Sequence, residues 1–356
     1  MSMQSSCCTK NESHEAVVHP GCSLATLDSF STQRFREMKL FYYKDPIGNF
    51  GDDLNSLIWY SLAPELFDED DSEVLVGIGT LINSRAPLAP TKYVFGSGVG
   101  YHQFPTIDEK WQFYCVRGPL SAQRLGISPS LAITDPAVLL TQVLPARPVE
   151  QTGMVSFMPH HASSRFADWK ALCEKAGINY IDPAYDIHET IFQMRRSRLV
   201  IAEAMHAAIV ADALRVPWVP VACYDHILDF KWQDWCQSLD MPYTPQTIAS
   251  IYDMERNFTP MEKFKTSVKR NLRKMGIWTD NWTPPVPETN RADMEDTVVE
   301  ALGKLAQHGT PCLSEERNHL ESIERLMEKL DEVRRDVVHR RNGARPRAVE
   351  QTALRA

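Results

Sequence analysis

The chain of 356 residues carries 46 acidic and 38 basic side chains, a formal net charge of −8, and 43% of its residues are hydrophobic. This acidic balance offers no basic surface for nucleic-acid phosphates, so we exclude nucleic acid as a partner. No run of about 18 apolar residues occurs, and the N-terminus lacks a basic stretch followed by an apolar one, so neither a transmembrane helix nor a signal peptide is expected. We predict a cytoplasmic protein with about two domains.

The eight cysteines show no pairing pattern and no CxxC spacing. Cys115 and Cys223 lie singly within apolar runs. In a reducing compartment such cysteines are small core residues rather than ligands or nucleophiles. We therefore expect neither zinc nor disulfides.

Residues 1–37 are polar and lack periodicity, which predicts a flexible leader, and the fold is expected to begin near Met38. From there, short apolar runs alternate with helix-like segments, a pattern typical of a parallel α/β sheet. In this first half the predicted strands are Lys39–Tyr43, Val74–Ile78, Tyr93–Phe95 and Phe113–Val116, with helices after Asp52 and from Pro119.

The stretch LPARPVEQTG, residues 144–153, is expected to link this half to a second one in which the alternation restarts. Two such halves predict two Rossmann-like domains, residues 38–147 and 148–245, that face each other across a cleft in a GT-B-like arrangement. Ligands then bind at the carboxyl ends of the strands. The predicted elements of the second half are strands at 154–161, 177–182, 197–203 and 217–223, and helices at 164–175, 187–196, 204–214 and 227–239.

Residues 246–340 are expected to form a helical extension, interrupted by prolines in NWTPPVPETN, residues 281–290. Near its end, apolar residues at 3/4 spacing predict an amphipathic helix that packs on its own domain or on a partner rather than a coiled coil. The Arg-rich residues 341–356 predict a disordered tail that can contact an anionic membrane surface. The apolar stripe consists of Leu320, Ile323, Met327, Leu330 and Val337, interrupted by Arg334.

The loop after the first predicted strand has the sequence DPIGNFGDDLN, residues 45–55. Gly48 and Gly51 permit a tight turn and a close approach to a ligand, while Asp52 or Asp53 is a candidate cap for the next helix. Backbone N–H groups at such a helix N-terminus favour an anion or a polar sugar. An ordinary βα turn with an aspartate cap fits the same residues, so this loop alone leaves both interpretations open.

Arg117 and Asp135 also stand where predicted strands end. A guanidinium at position 117 fits a phosphate or carboxylate, or it pairs with an acid of its own domain. Asp135 precedes Pro136 and fits three roles: a helix cap, a structural partner of Arg117, or an acid/base group. We slightly favour a structural role for Asp135.

Three histidines at strand ends complete the set of candidates. His160 and His161 are better suited to donate to an anion than to hold a metal, because adjacent histidines do not converge easily on one ion. His206 opens the helix that follows RLVIAE, where an imidazole and nearby N–H groups point at a negative substrate. A hydrogen-bonded core histidine is the alternative for His206.

In this order, GNFGDDLN, VRGPLSAQRLG, TDPAVLL, FMPHH and AEAMHAAIVADALRVPWV resemble the motifs of polysaccharide pyruvyl transferases, in particular the succinoglycan-type exopolysaccharide branch. The resemblance covers residues 38–222. It implies a GT-B-like pair of Rossmann-type domains. The implied reaction transfers the carbon skeleton of phosphoenolpyruvate to a sugar, forming a cyclic pyruvate ketal and releasing phosphate.

By this resemblance, His206 matches the histidine of the family's Ser-x-Arg-Leu-His signature, which holds the donor together with the arginine. Here Ala202, Ala204 and Met205 occupy the Ser, Arg and Leu positions. Another arginine must therefore supply the positive charge. The candidates are Arg117, Arg165, Arg195, Arg196 and Arg198.

The chemistry implied by the family needs an acid, a base and cationic groups for the anion, but no metal and no cofactor. We predict His206 as general acid or phosphate partner, His160 as a second donor, and Asp52 or Asp135 as the base near the acceptor. The predicted donor-binding residues are Arg117, Gly51, Asn49, Glu203 and Arg198.

The predicted function is therefore pyruvyl transfer from phosphoenolpyruvate to a sugar of an exopolysaccharide or of its lipid-linked precursor. Its acceptor or its basic tail would bring the protein to the inner face of the membrane. Two alternatives remain: a GT-B glycosyltransferase that uses a nucleotide sugar, and a non-catalytic component of polysaccharide assembly.

Overall fold

The computed structural model describes residues 38–341, except for residues 47, 69–70, 89, 101, 146–148, 151, 252–258 and 275–293. The predicted leader, the proline-rich linker at 281–290 and the tail beyond Arg341 lie outside the described residues. For the described part, the prediction of an α/β protein with parallel sheets is confirmed.

The first half forms a four-stranded parallel sheet in the order β1-β2-β3-β4. Its inward-facing residues are mostly apolar, as expected for a sheet covered by helices. The strands are β1 (Lys39–Phe41), β2 (Glu73–Val76), β3 (Thr91–Phe95) and β4 (Trp111–Cys115), and the helices are α1 (Phe50–Leu62), α2 (Pro119–Leu125) and α3 (Leu140–Val143).

The second half forms a five-stranded parallel sheet in the order β6-β5-β7-β8-β9. The chain order reverses beside β5, so the carboxyl ends of β5 and β7 flank a topological switch point, where α/β sheets bind ligands. The strands are β5 (Val155–Met158), β6 (Asn179–Tyr180), β7 (Leu199–Ala202), β8 (Trp218–Ala222) and β9 (Gln246–Thr247), and the helices are α4 (Trp169–Ala176), α5 (Ile187–Arg196), α6 (Met205–Ala213) and α7 (Asp229–Ser238).

Three predicted boundaries differ from the structure. Helix α1 begins at Phe50 rather than after Asp52, because the side chain of Asn49 caps it by accepting from the backbone N–H of Gly51. Helix α4 begins at Trp169 rather than near Ser164, because Asp168 is its cap. Strand β9 extends the second sheet past residue 245, where the predicted second domain ends.

The C-terminal helices are α8 (Pro260–Lys274), α9 (Glu295–His308) and α10 (Glu316–Arg341). Helix α9 packs on the second sheet, whereas α10 contacts β4 of the first. The helix α10 therefore packs on its own chain, but the buried stripe is rotated from the predicted one. Leu320 is 55% exposed, and the buried residues are Ile323, Leu326, Leu330, Val333 and Val337.

Arg117 and Asp234 form a buried ion pair that joins the two halves. Nε of Arg117, which lies just before α2, is 3.1 Å from Oδ2 of Asp234 on α7, and both side chains are inaccessible to solvent. Ser121 of α2 donates to the same carboxylate through its backbone N–H at 2.8 Å and its hydroxyl at 2.5 Å. A Cβ at Gly118 would lie 1.9 Å from the carbonyl oxygen of Asp234, so only glycine permits this approach of α2 to α7.

We expect Asp234→Ala to lower the free energy of unfolding by about 3–5 kcal/mol, because it leaves the Arg117 guanidinium buried without its counter-charge. Urea denaturation measures the change. Gln233→Ala, on an exposed position of the same helix, is the matched control and should change stability by less than about 0.5 kcal/mol. A similar small loss for both variants would contradict the role of this ion pair.

Candidate active site

The candidate site lies where loops at the carboxyl ends of strands from both sheets meet. The β1–α1 loop approaches the second half directly, since the backbone N–H of Phe50 donates to the carbonyl of Pro183 at 2.9 Å. The loops after β5 and β7 bring His160 and His206 to the two sides of the switch point. The arrangement matches the position at which α/β sheets bind ligands.

His206 packs directly against the start of α1. A Cβ built on Gly51 would lie 2.0 Å from Nδ1 of His206, so a larger residue at position 51 would displace the imidazole. Gly51 was predicted as a donor-binding residue, and the structure gives it a definite task, which is to make room for His206. The N-termini of α1 and α6 consequently both lie next to this ring, where their N–H groups favour negative charge.

Asp135 faces the other ring nitrogen of His206. Its Oδ1 accepts from the backbone N–H of Ala137 at 3.0 Å, so Asp135 caps the 3-10 helix Pro136–Leu139, one of the three roles that the sequence left open. Its Oδ2 lies 3.5 Å from Nε2 of His206. Both of these atoms are buried and have no hydrogen-bond partner among the described residues. A buried carboxylate at this distance orients the imidazole, as in sites where a histidine transfers a proton. Arg117 pairs with Asp234 rather than with Asp135, its partner in one of the three alternatives.

Asp52 lies in the first turn of α1, half-buried. Its Oδ2 accepts from Nδ2 of Asn49 at 2.6 Å, which fixes the carboxyl group. Burial raises the pKa of Asp52 from 3.8 to about 7, and the charge of Lys231 opposes that rise. A carboxyl group with a pKa near neutrality can both accept and release a proton at physiological pH.

His160 is held as a neutral ring. Burial lowers its pKa well below the usual range, and the neighbouring His161, His226, Lys231 and His206 lower it further. Its Nδ1 accepts from the backbone N–H of Ala162 at 3.2 Å, so the proton of the neutral ring is on Nε2. His160 is therefore a hydrogen-bond donor without charge, and its role as a donor to an anion stays a prediction.

Glu203 braces the loops rather than facing a ligand. One carboxylate oxygen accepts from the backbone N–H of His160 at 2.9 Å, and the other accepts from that of Cys223 at 3.0 Å. The side chain is fully buried, and burial raises its pKa. Glu203 was predicted as a donor-binding residue, but its contacts connect the ends of β5, β7 and β8 and so position His160.

His161 and His226 border the site beside His160. The ring centroids of His160 and His226 are 5.0 Å apart, and Nε2 of His226 is 3.1 Å from the hydroxyl of Ser163. Burial lowers the pKa of His161 to about 4. Among the described residues, no group of three or more His, Cys, Asp or Glu side chains is arranged to hold a metal ion.

Lys231, in the first turn of α7, provides a positive charge to the site. Its charge acts on the titration of Asp52, His160 and His161. Arg165 also acts on His161, and its side chain is exposed. Lys231 and Arg165 are thus cations whose charges act on groups of the site, and the sequence analysis considered only arginines.

The other candidate arginines have different positions. Arg117 is fully buried and donates to Asp234, to the hydroxyl of Thr80 at 3.1 Å and to the carbonyl of Val99 at 3.2 Å. Its geometry supports a structural ion pair rather than a ligand clamp, but the acid is the buried Asp234 of the other half and not an acid of its own domain.

Arg198 immediately precedes β7, so it lies at the amino end of this strand, whereas His206 follows the carboxyl end. Its side chain donates to the carbonyl of Ala306 at 3.1 Å. Arg195 and Arg196, in the last turn of α5, also lie at the amino ends of the strands, since the carbonyl of Arg196 accepts from Thr152 just before β5. These three arginines therefore lie at the end of the strands opposite to the loops that carry His160 and His206.

The residues that the sequence analysis missed are Lys231 and His226. Both follow β8, whose carboxyl end lies beside that of β7. The rule that selected His206, a polar residue between a strand end and the first turn of the next helix, would have selected Lys231 as well.

Comparison with known proteins assigns the chain to a family. The family model described as polysaccharide pyruvyl transferase matches residues 25–226. The succinoglycan biosynthesis protein ExoV of Rhizobium meliloti (strain 1021) is 33% identical over 325 residues, which cover 84% of this chain and 99% of that relative. No solved structure matches the chain. The chain belongs to the polysaccharide pyruvyl transferase family, and it is a transferase.

Proposed function

We propose that the protein transfers the pyruvyl group of phosphoenolpyruvate to a sugar of an exopolysaccharide, as a cyclic ketal, and releases phosphate. The observation that carries this proposal is the close placement of four groups: the His206–Asp135 pair, the neutral donor His160, the cation Lys231 and the carboxyl of Asp52. An anionic donor and a hydroxyl acceptor need a cation, an acid and a base of this kind.

The proposed reaction has two steps. First, a proton is added to the methylene carbon of phosphoenolpyruvate, and a sugar hydroxyl attacks C2 while losing its proton to a base. Second, the bond from C2 to the phosphate oxygen breaks, and a second hydroxyl of the same sugar attacks C2 and loses its proton. The two hydroxyl groups lose two protons in all. The methylene carbon gains one proton as it becomes a methyl group, and the phosphate leaves with the other, so the reaction consumes no further reagent.

Each site residue takes a role that its surroundings support. Oriented by Asp135, His206 donates the proton or binds the phosphate. His160 donates a hydrogen bond through Nε2, Lys231 attracts the carboxylate or phosphate of the donor, and Asp52 accepts the proton of the attacking hydroxyl. Lys231 thus supplies the charge of the family arginine that Ala204 replaces in this chain.

The acceptor is proposed from the family and from the relative. ExoV is named for succinoglycan biosynthesis, and we infer an exopolysaccharide acceptor for this chain, modified either as the polymer or as its lipid-linked precursor. We further propose that the two sheets belong to a GT-B-like pair of domains whose cleft admits the sugar from the side opposite to the donor. A cytoplasmic location at the inner face of the membrane remains a prediction from the sequence.

Incubating the protein with phosphoenolpyruvate and acceptor oligosaccharide tests the proposal, with phosphate release and the mass of the product as readouts. We expect His206→Ala to lower the rate by about 10²- to 10⁴-fold, because it removes the proton donor. A His206→Ala protein with full phosphate release would refute the assignment of His206. A hexose added from a nucleotide sugar, without any ketal, would favour the glycosyltransferase instead.

We expect Lys231→Met to raise the KM for phosphoenolpyruvate by about 10- to 100-fold, the loss of one hydrogen bond to a charged group. Since the charge of Lys231 lowers the pKa of Asp52, the variant should also move the acidic limb of the pH–rate profile to higher pH. Arg198→Met, which removes a cation at the amino end of β7, is the matched control and should change neither quantity. An unchanged KM in Lys231→Met would contradict the role of this lysine.

The raised pKa of Asp52, about 7, predicts a pH dependence. If Asp52 is the base, kcat/KM should rise about tenfold per pH unit below the pKa and level off above it, and Asp52→Asn should abolish this limb. Because the folded protein binds the Asp52 proton more tightly than the unfolded chain, stability should also fall as the pH rises from about 4 to about 7. A pH-independent rate in the wild-type protein would exclude Asp52 as the base.

A further inference from the structure

Helix α8 (Pro260–Lys274) carries an apolar stripe that the rest of the described chain does not cover. Met261, Phe264 and Val268 are 62%, 66% and 40% exposed. Together with the half-buried Leu272, they follow one another at spacings of three and four residues, which places them on one side of the helix. None of the α8 residues belongs to the three hydrophobic cores of the described residues.

The helix has its own N-terminal capping box. The backbone N–H and the hydroxyl of Thr259 donate to Glu262 at 2.8 and 2.7 Å, while the backbone N–H of Glu262 donates to the hydroxyl of Thr259 at 3.3 Å. An isolated helix of about 15 residues is nevertheless only marginally stable in water. A surface that covers the apolar stripe would stabilise α8.

The charge of α8 indicates the kind of surface. The sequence PMEKFKTSVKRNLRK contains six Lys or Arg residues and one Glu, whereas the whole chain has a net charge of −8. Lys263, Lys265 and Lys269 are exposed. Lys265 and Lys269 border the apolar stripe, since each lies three residues before a member of it, Val268 and Leu272, and residues at that spacing are neighbours on a helix surface. Basic side chains beside an aromatic and aliphatic stripe are typical of helices that lie in the interface of an anionic membrane.

We propose that α8 docks the protein on an anionic lipid surface, with the Phe264 side chain inserted among the headgroups and the lysines on lipid phosphates. No helix among the described residues is long and apolar enough to cross a membrane, so α8 would lie on the surface. The docking depends on α8 alone. Its use, to bring the active site to a lipid-linked sugar, rests on the proposed function.

Sedimentation of the full chain with lipid vesicles tests the docking. We expect binding to vesicles that contain phosphatidylglycerol to be at least tenfold tighter than to pure phosphatidylcholine vesicles. Phe264→Ser with Val268→Ser should weaken binding by about tenfold or more, through the lost apolar contact. Lys265→Glu with Lys269→Glu should remove the preference for anionic lipid. Phe192→Ser, at a 45% exposed position of α5, is the matched control and should bind as the wild type does.

Several outcomes would overturn the proposal: equal binding of the Phe264 variant and the wild type, equal losses in the Phe192 control, or no vesicle binding at all. A wild-type dimer that becomes monomeric in the Phe264 variant, without vesicle binding, would assign the stripe to a second copy of the chain. Melting curves check that the α8 variants remain folded.

Turnover of phosphoenolpyruvate with a water-soluble acceptor separates the docking from the chemistry. If both proposals hold, the α8 variants turn over the soluble acceptor at the wild-type rate and lose only vesicle binding. If the wild type binds vesicles through α8 but forms no ketal, the proposed function fails and the docking stands. If α8 variants also lose activity with the soluble acceptor, α8 serves the catalytic fold and the docking proposal fails.

Discussion

The contact on which the site depends is the buried ion pair between Arg117 and Asp234. Taking two charges out of water is costly, and the pair is tolerated because Ser121, Thr80 and the backbone carbonyl of Val99 form further hydrogen bonds with it. The pair fixes α7 against α2 and therefore sets the position of the first turn of α7. A residue that resembles a ligand clamp in sequence thus acts on the active site from a distance.

The site itself is assembled from loops that neither sheet could position alone. The switch point between β5 and β7 brings His160 and His206 to the same edge, and the β1–α1 loop of the other half adds Asp52. The loops pack closely, because the absence of a side chain at Gly51 permits the imidazole of His206 to contact α1. Glu203, after β7, then fixes the ends of the neighbouring strands β5 and β8 by hydrogen bonds.

Local pattern predicted most of the fold because alternating apolar runs and helix caps are local properties. Strand ends and histidines could be located in this way, and the family resemblance is confirmed by the comparisons. The partner of Arg117 could not be predicted, because it depends on long-range geometry. Asp234 lies 117 positions from Arg117 along the chain, and no periodicity connects them. The rotated stripe of α10, with Leu320 exposed, has the same cause, since β4 decides which side of the helix is buried.

The proposed use of Lys231, in place of the arginine that the family resemblance leads us to expect at position 204, has a physical consequence for the site. An arginine at the N-terminus of α6 would hold a fixed, always charged guanidinium beside the positive end of that helix. Lys231 instead reaches the same loops from α7, on a flexible stem whose charge also acts on Asp52 and His160. Binding of an anionic donor would partly neutralise Lys231, and the pKa of Asp52 would rise in response. In the proposed mechanism, donor binding and proton transfer are therefore coupled through one lysine.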